Sequence, residues 1–591
     1  MKKILWTLAL ALFPLLMVSC LDFDNPSDEF TTTDEELDPE VFHGKADEID
    51  YRKVITEEEF DAAKTALNTY FRQVPTATYY IRGGKNGQMP QEHQYQYVYS
   101  LHVDNYSGYF CADQNFGGRL PSTYYYNYDF CDGPYGAFLE VKNNLANLLN
   151  HPQIDYMPEV KAIGLLLFDF SAQETADLYG SIPYVDHKNN KETNPFIFDK
   201  GMDIYATIID NVDTIVACFD HFKEQPAWYQ KKVQGVINQV DVVTQDKSID
   251  TWKRFANSLK LRMAMRVVKV MPEKAKKWAE EAVASGVVES TDKEIALNWV
   301  TGCFYHPLST ICNSWNDSRV NASFESLLMS LDHPMTKYFI SKNVDAITNT
   351  KTGAVTAAKS RIVGIRAGLV MESGQSVDVN PRVAYSSLET DFISDAPTYY
   401  VKVSEVDFLR AEGAVRGWNM GGTAQFFYER GIRNAQPEGR FDDSRQMYAT
   451  YVDDYMKLEK AKAYTYVDPM DDANNMESVT TIGVKWNEGD APEVKLEKII
   501  TQKYIALFPL SSEAWAEMRR TGYPKQFPVL NAADYGDGSL RNGDLIRRIP
   551  FPGRGTTVGL DDITKTGLDA LGGDDLQGTR VWWDVDGMAN F

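Results

Sequence analysis

The sequence predicts a mainly α-helical protein, with helices arranged in pairs on a scaffold and long irregular loops between the pairs. Three observations lead there. Apolar residues recur at three- and four-residue steps in several segments, which marks one buried helix face. Short turns, glycine-bearing where they are clearest, join such segments two by two. Between the pairs run stretches rich in Tyr, Asn, Gly and Pro, at about 79–137, 300–323, 345–400 and 530–591. Long loops in a compact protein usually carry function.

At the N-terminus, Lys2 and Lys3 precede an apolar run from Ile4 to Val18 that only Thr7 and Pro14 interrupt. A spanning helix takes roughly 20 apolar residues, so residues 1–19 read as a cleavable export leader. The run ends Leu16-Met17-Val18-Ser19-Cys20. That resembles the bacterial lipobox, in which the cysteine becomes the new N-terminus and its thiol carries lipid, so Cys20 is the candidate lipidation site. Two or more acyl chains anchor a protein stably, one only marginally. Residues 20–50 then read as an acidic flexible tether, with twelve Asp and Glu against Lys45 alone. Such a stretch has too little apolar surface to order itself. Acids directly after a lipidated cysteine also resemble the surface-export signal of Bacteroidetes lipoproteins.

Residues 51–591 read as one compound domain, since no Pro/Gly/Ser-rich linker divides them. Segments 159–179 and 201–219 form the first clear pair of helices, joined by "YGSIPYVDHKNNKETNP". The plainest helix is 250–270, where Trp252, Phe255, Leu259, Met263, Val267 and Val270 share a face. Asp250 reads as its N-cap and Pro272 as its stop, and a partner helix at 273–285 ends before Gly286. A third pair is "SEVDFLRAEGAVRGW" with "TAQFFYERGIRNA", capped by Ser404 with Asp407 and turned by Gly417, Gly421 and Gly422. The fourth is 496–508 followed by "SSEAWAEMRR". Pairs of this kind follow the logic of tetratricopeptide-like units, although no strict 34-residue period is present.

The net charge is −23, and −25 once the leader, which holds two lysines and no acid, is removed. Nucleic acid is thereby an unsuitable partner, because phosphate binding needs a basic face. Six cysteines are few for an exported protein. With Cys20 lipidated, an odd number remains. Cys218 reads as a small core residue; Cys111 with Cys131, and Cys303 with Cys312, are open pairings.

"WKRFANSLKLRMAMR", "ADLYGSIPY", "AEGAVRGW", "EKIITQKYIALFP", "EAWAEMRRTGYP" and "RRIPFP…LGGDDLQGTRVWWDV" occur in that order. Together with the lipobox they resemble the SusD/RagB family over nearly the whole mature chain, and "NFGGRLPSTYY" is similar to a branch with a long aromatic N-terminal loop. The resemblance implies a non-enzymatic outer-membrane surface lipoprotein built on four tetratricopeptide-like helical pairs in a superhelical scaffold. It implies nutrient binding, most often of a glycan, and a lid role over a SusC-type TonB-dependent transporter. A surface-anchored glycan-degrading enzyme and a peptide-binding import lipoprotein of the RagB type are the alternatives.

Residues 79–135 hold 12 of the 33 tyrosines. Sugars present apolar C–H faces and a rim of hydroxyls, so their sites combine aromatic platforms with a few polar side chains. From this segment Tyr106, Tyr109, Asn115 and Tyr124 are candidate ligand contacts. Tyr95, Tyr97 and Tyr99 alternate as in a strand and read as packed. By family position, the loop 302–324 adds Tyr305 and Trp315 for stacking and Asn316 and Arg319 for the rim, although Trp315 reads equally well as an anchor beneath its loop. The sequence contains no H-E-x-x-H, no P-loop and no G-x-S-x-G. No cofactor is expected. "DVDG" at 584–587 and "DYGDGS" at 534–539 are fragments of calcium-loop chemistry that lack the remaining ligands.

Overall fold

Among the described residues of the computed structural model, fifteen helices of nine or more residues account for most of the regular structure. The structure describes residues 41–591 apart from 83–90, 126–129, 194, 298–305, 375, 395, 436–441 and 553–560. The leader, Cys20 and the first part of the acidic stretch lie outside the described residues, as do Cys303 and Tyr305. The helices are α1 (Glu57–Phe71), α2 (Gln73–Ile81), α3 (Asp132–Asn150), α4 (Pro158–Tyr179), α5 (Gly201–Phe222), α6 (Ala227–Val240), α7 (Ile249–Arg266) and α8 (Pro272–Ser285). They continue as α9 (Ala322–Leu331), α10 (Val403–Val415), α11 (Ala424–Asn434), α12 (Asp442–Tyr455), α13 (Pro492–Leu507), α14 (Ser511–Thr521) and α15 (Asp561–Leu571). The strands among the described residues make only two-stranded antiparallel ladders.

The mainly helical expectation holds, and neighbouring helices pack in sequence. α2 lies on α3, α3 on α4, α4 on α5 and α5 on α7; α7 then contacts both α8 and α10, and α10 contacts α11 and α13. α14 follows α13 and returns to α4. Phe42–Phe591 form one compact unit. Residues 42–50, expected to belong to the tether, are instead packed. Ala46 is fully buried, the Lys45 N–H donates to Asn150 Oδ1 at 2.7 Å, and Asp47 pairs with Lys188 at 2.7 Å. Among the described residues no helix is long and apolar enough to cross a membrane.

Several helix ends differ from the sequence reading. Ser248, not Asp250, caps α7 by accepting the Thr251 N–H at 3.1 Å, and Pro272 opens α8 rather than stopping α7. A proline suits a helix's first turn because no backbone N–H is needed there. Ser404 lies buried inside the first turn of α10, and Glu294 from a distant segment accepts the Val403 N–H at 3.0 Å. Asp407 is committed elsewhere, accepting from Arg430 Nε at 2.8 Å and Asn434 Nδ2 at 2.8 Å, and so ties α10 to α11. The turn between those helices uses Gly417 (φ 77°) and Gly421 (φ 76°), a left-handed conformation costly for other residues. Tyr95, Tyr97 and Tyr99 are not in a strand. Glu92–Tyr95 is a helical turn that continues as a π-turn over Gln96–Ser100, with the Tyr95 and Tyr99 rings 4.9 Å apart. Cys111, Cys131, Cys218 and Cys312 are buried, and no disulfide joins Cys111 to Cys131.

The centre of the helical stack is ionic. Arg262 of α7 forks onto Glu405 of α10 at 2.6 and 2.8 Å and donates to the Tyr400 carbonyl at 2.6 Å. Arg266 meets Glu513 and Glu517 of α14, and Lys503 of α13 reaches Glu513 at 3.1 Å. Arg520 bridges Glu517 to Glu412 of α10, which also takes Arg416. All of these side chains are buried. Burial alone pushes the Glu513 carboxyl up, but Arg266, Lys503 and Arg262 together hold it below the usual range. Removing one member of such a network leaves its partners charged and desolvated. Arg266→Met is therefore expected to lower unfolding free energy by about 3–5 kcal/mol in urea denaturation, and Arg266→Met/Glu513→Gln to recover part of that loss.

Candidate functional site

Four segments distant in sequence converge beside this core: 91–100, 110–116, 308–320 and 372–384. An antiparallel ladder sets their register, pairing Phe110 with Val320, Cys111 with Arg319 and Ala112 with Ser318. Arg319 is completely buried within it. Its guanidinium donates to the Val383 carbonyl at 3.0 and 2.7 Å, to the Cys312 carbonyl at 2.7 Å and to Asn316 Oδ1 at 2.8 Å. One arginine thus fixes both ends of the 312–319 loop and fastens it to the 381–384 turn. Asp317 accepts from Gln96 Nε2 at 2.8 Å and from Gln114, which brings in the other two segments.

What this clamp presents outward is Trp315. The ring is half-buried and lies against the exposed His93 ring, with centroids 4.6 Å apart and planes at 34°. Asn316, held at φ 59°, flanks it. Glu92 accepts a hydrogen bond from Thr310 Oγ1 at 3.2 Å, fixing the short helix that carries His93. Around the neighbouring turn the Asn115 N–H donates to the Glu372 carbonyl at 3.0 Å, and Arg382 lies 3.8 Å from Glu372. Asn115 Oδ1, Glu372 Oε2 and Arg382 Nη1 are buried and make no hydrogen bond within the protein. Flat rings beside amides, a carboxylate and a guanidinium can hold the apolar face and hydroxyl rim of a sugar.

The sequence-predicted contacts separate into two groups. Trp315 and Asn316 lie at this surface, and Asn115 lies on the neighbouring turn. Tyr106, Tyr109, Tyr124 and Arg319 do not reach it: they are 1, 0, 3 and 0 % exposed. Tyr109 donates to the Tyr504 carbonyl and packs on the Tyr504, Phe324 and Phe508 rings. Tyr106 sits between Tyr124 and Trp515, and the Tyr124 hydroxyl accepts the Ile546 N–H at 3.0 Å. These tyrosines are the aromatic core of an irregular region, and Arg319 is the loop clamp. Tyr305 lies outside the described residues. Sequence reading did not single out His93, Glu372 and Arg382, which reach this region only through contacts with residues far along the chain. The calcium-loop fragments are otherwise engaged. Asp584 is held by Arg547 and by Arg580 at 2.8 Å, and Asp537 accepts the Gln577 N–H at 2.6 Å. Among the described residues no group of three or more His, Cys, Asp or Glu is placed to hold a metal ion.

The sequence matches the SusD-like family, described as Susd and RagB outer membrane lipoprotein, over residues 49–584. None of the curated proteins matches it. Among solved structures, a chitin-binding SusD homolog from Flavobacterium johnsoniae is 30% identical, with 90% of this chain and 100% of that chain covered and a TM-score of 0.72. A SusD homolog from Bacteroides vulgatus is 26% identical over 89% of this chain and 100% of that chain, with a TM-score of 0.72. One from Bacteroides thetaiotaomicron is 27% identical over 88% and 99%, with a TM-score of 0.70.

The aromatic segment also buries a carboxyl whose titration is open to test. Asp104 is fully buried; burial pushes its carboxyl up to about 7, against the Ser511 and Ser100 hydroxyls that favour the charged form. A carboxyl raised above its unfolded value of about 3.9 keeps its proton longer in the native state. It therefore subtracts stability as pH rises from about 4 to about 7. Asp104→Asn is expected to gain on the unmodified protein by on the order of 2 kcal/mol between pH 5 and pH 8 in paired urea denaturations; an unchanged difference would show that Asp104 is already ionised at pH 5.

Proposed function

We propose a function on one premise: the chain belongs to the SusD-like family of SusD and RagB outer-membrane lipoproteins. It binds a nutrient glycan at its surface and acts as the lid of a SusC-type TonB-dependent transporter, tethered by lipid on Cys20. The observation that supports glycan binding most directly is the Trp315–His93 platform, a half-buried ring held on a rigid loop. A rigid aromatic loses little conformational entropy when a ligand stacks on it. The chitin-binding relative from Flavobacterium johnsoniae, similar along nearly the whole chain, supports the choice of a saccharide. No catalytic role is assigned to the carboxylates at the platform. Asp317 accepts from two glutamine amides, and Glu372 and Arg382 lie close enough to offset each other's charge.

The lid role is part of the same proposal and rests on the likeness to the SusD/RagB family. A lipid-held binder that closes over a barrel traps its ligand between two proteins, so the ligand platform and the docking rim are different surfaces. Trp315→Ala is expected to weaken binding in titration with chito-oligosaccharide and other glycan oligomers by about 1–3 kcal/mol, as for other aromatic stacking platforms. The transporter should still co-purify. Loss of the complex would make Trp315 a docking residue. Unchanged glycan binding would move the site elsewhere. Independently, Cys20→Ala should leave the fold intact and shift the protein from the membrane fraction to the soluble fraction in cells lacking the transporter.

A further inference from the structure

A concave surface lies beyond the strand Ser386–Leu388. One flank of that strand meets the Trp315 loop, the Ser387 hydroxyl lying 3.0 Å from the Cys312 carbonyl and 2.6 Å from Asn313 Oδ1. Its other flank pairs with the strand Ile340–Asn343. From there a cleft of about 1630 Å³ opens between α9, the 336–344 and 359–362 segments and the chain from the end of α12 to Val467. Single ligand pockets are typically 300–1,000 Å³, so this one has room for an extended oligomer.

Its charge runs against that of the chain. In a protein of net charge −23, Lys337, Lys342, Lys359, Arg361, Lys457 and Lys462 line the cleft, against three carboxylates, Asp332, Glu389 and Asp454. Two of those acids are already paired, Asp332 with Lys462 at 2.5 Å and Asp454 with Lys457 at 2.8 Å. Lys337, Lys342 and Lys359 are exposed and have no ion pair among the described residues. Aromatic faces stand among them: Tyr451, 51% exposed, with Tyr338 and Tyr464 half-buried. A cleft lined by one sign of charge focuses its field and concentrates the opposite sign. A peptide captured by strand addition would need a free backbone edge. The strand at this wall has none free at Asn343, whose N–H donates to the Arg361 carbonyl at 2.8 Å and whose carbonyl accepts the Lys359 N–H at 2.9 Å.

We propose that this cleft binds an anionic oligosaccharide, carboxylated or sulfated. Lys337, Lys342 and Lys359 pair with its acidic groups, and Tyr451 stacks on a sugar face. The inference rests on the glycan-binding reading above and extends it to a separate surface. Its test uses the full-length protein in detergent, titrated with oligogalacturonate, heparin-derived oligosaccharide, neutral chito-oligosaccharide and poly-glutamate. The acidic glycans are expected to bind, with affinity falling at least tenfold as salt rises from about 50 to about 500 mM, since exposed charges are screened. Lys337→Gln/Lys342→Gln/Lys359→Gln, three exposed positions that leave the fold intact, should lose at least tenfold of that affinity, and Tyr451→Ala a smaller part. Binding of oligogalacturonate but not heparin fragments, or the reverse, supports the proposal and identifies the acidic group. Acidic-glycan binding that the triple variant leaves unchanged would overturn it, as would poly-glutamate binding as tightly as the glycans. If the neutral oligomer binds in a Trp315-dependent way and the acidic ones do not bind, this proposal alone fails. If no glycan binds, the reading of the preceding subsection fails with it.

Discussion

The buried ion network at the junction of α7, α10, α13 and α14 is the constraint on which the rest of the structure depends. A network of this kind is weak evidence for net stability, because desolvating each charge costs about as much as pairing it returns. Its effect is to make the packing of the helices specific. Arg262 and Arg266 lie one turn apart on α7, so α10 and α14 must approach that face at fixed heights to meet them. Arg520 then requires Glu412 and Glu517 together. Sliding any helix by one turn would strand several buried charges, whereas an all-apolar interface would tolerate the slip.

The site inherits its rigidity from that junction through a traceable set of contacts. Ser511, the first residue of α14, donates to Asp104. Tyr504 of α13 donates to the Ser107 carbonyl at 2.8 Å, and its own carbonyl receives Tyr109. Those bonds seat the 104–112 segment, whose strand sets the register of 318–320 and so of Arg319. Arg319 in turn clamps the loop that displays Trp315. Irregular chain has few ladder hydrogen bonds, so its buried polar groups need side-chain partners. The buried tyrosines, Arg319 and Arg82, which donates to the Tyr399 carbonyl at 2.7 Å, supply them here.

This explains which parts were legible in the sequence. Eight of the long helices were, among them α5, whose buried residues recur on one face, and α8 and α14, which stop at Gly286 and Gly522, whereas α1, α2, α3, α6, α9, α12 and α15 were not read as helices. Their caps were less so: Glu294 caps α10 from a distant segment, and no local pattern encodes that. The short run of alternating tyrosines suggested a strand, but Tyr99 is held by Arg82 and Glu174 and the chain there winds as a π-turn. The candidate contacts divide by where the fold puts them. Trp315, Asn316 and Asn115 came from loop position and residue type. Tyr106, Tyr109, Tyr124 and Arg319 were misplaced because the aromatic and guanidinium groups that suit a sugar are also those that fill and bond a core without regular structure. Only contacts between distant residues separate the two uses.

The quoted family motifs carry this point one step further. "WKRFANSLKLRMAMR" contributes Arg262 and Arg266, "AEGAVRGW" Glu412 and Arg416, "EKIITQKYIALFP" Lys503, and "EAWAEMRRTGYP" Glu513, Glu517 and Arg520. "ADLYGSIPY" supplies Asp177, which accepts the Trp583 indole N–H at 2.7 Å from the terminal "VWWDV". Every one of these residues belongs to the junction or its border, and none lies at the Trp315 platform or in the basic cleft. The sequence features that identify the fold are those that lock the helices. The surfaces suited to ligands hang from that lock on loops whose outward side chains can change while the buried Arg319 clamp stays in place. A scaffold organised in this way can keep one architecture while its ligand changes, which is why recognising the fold leaves the choice of ligand to the loops.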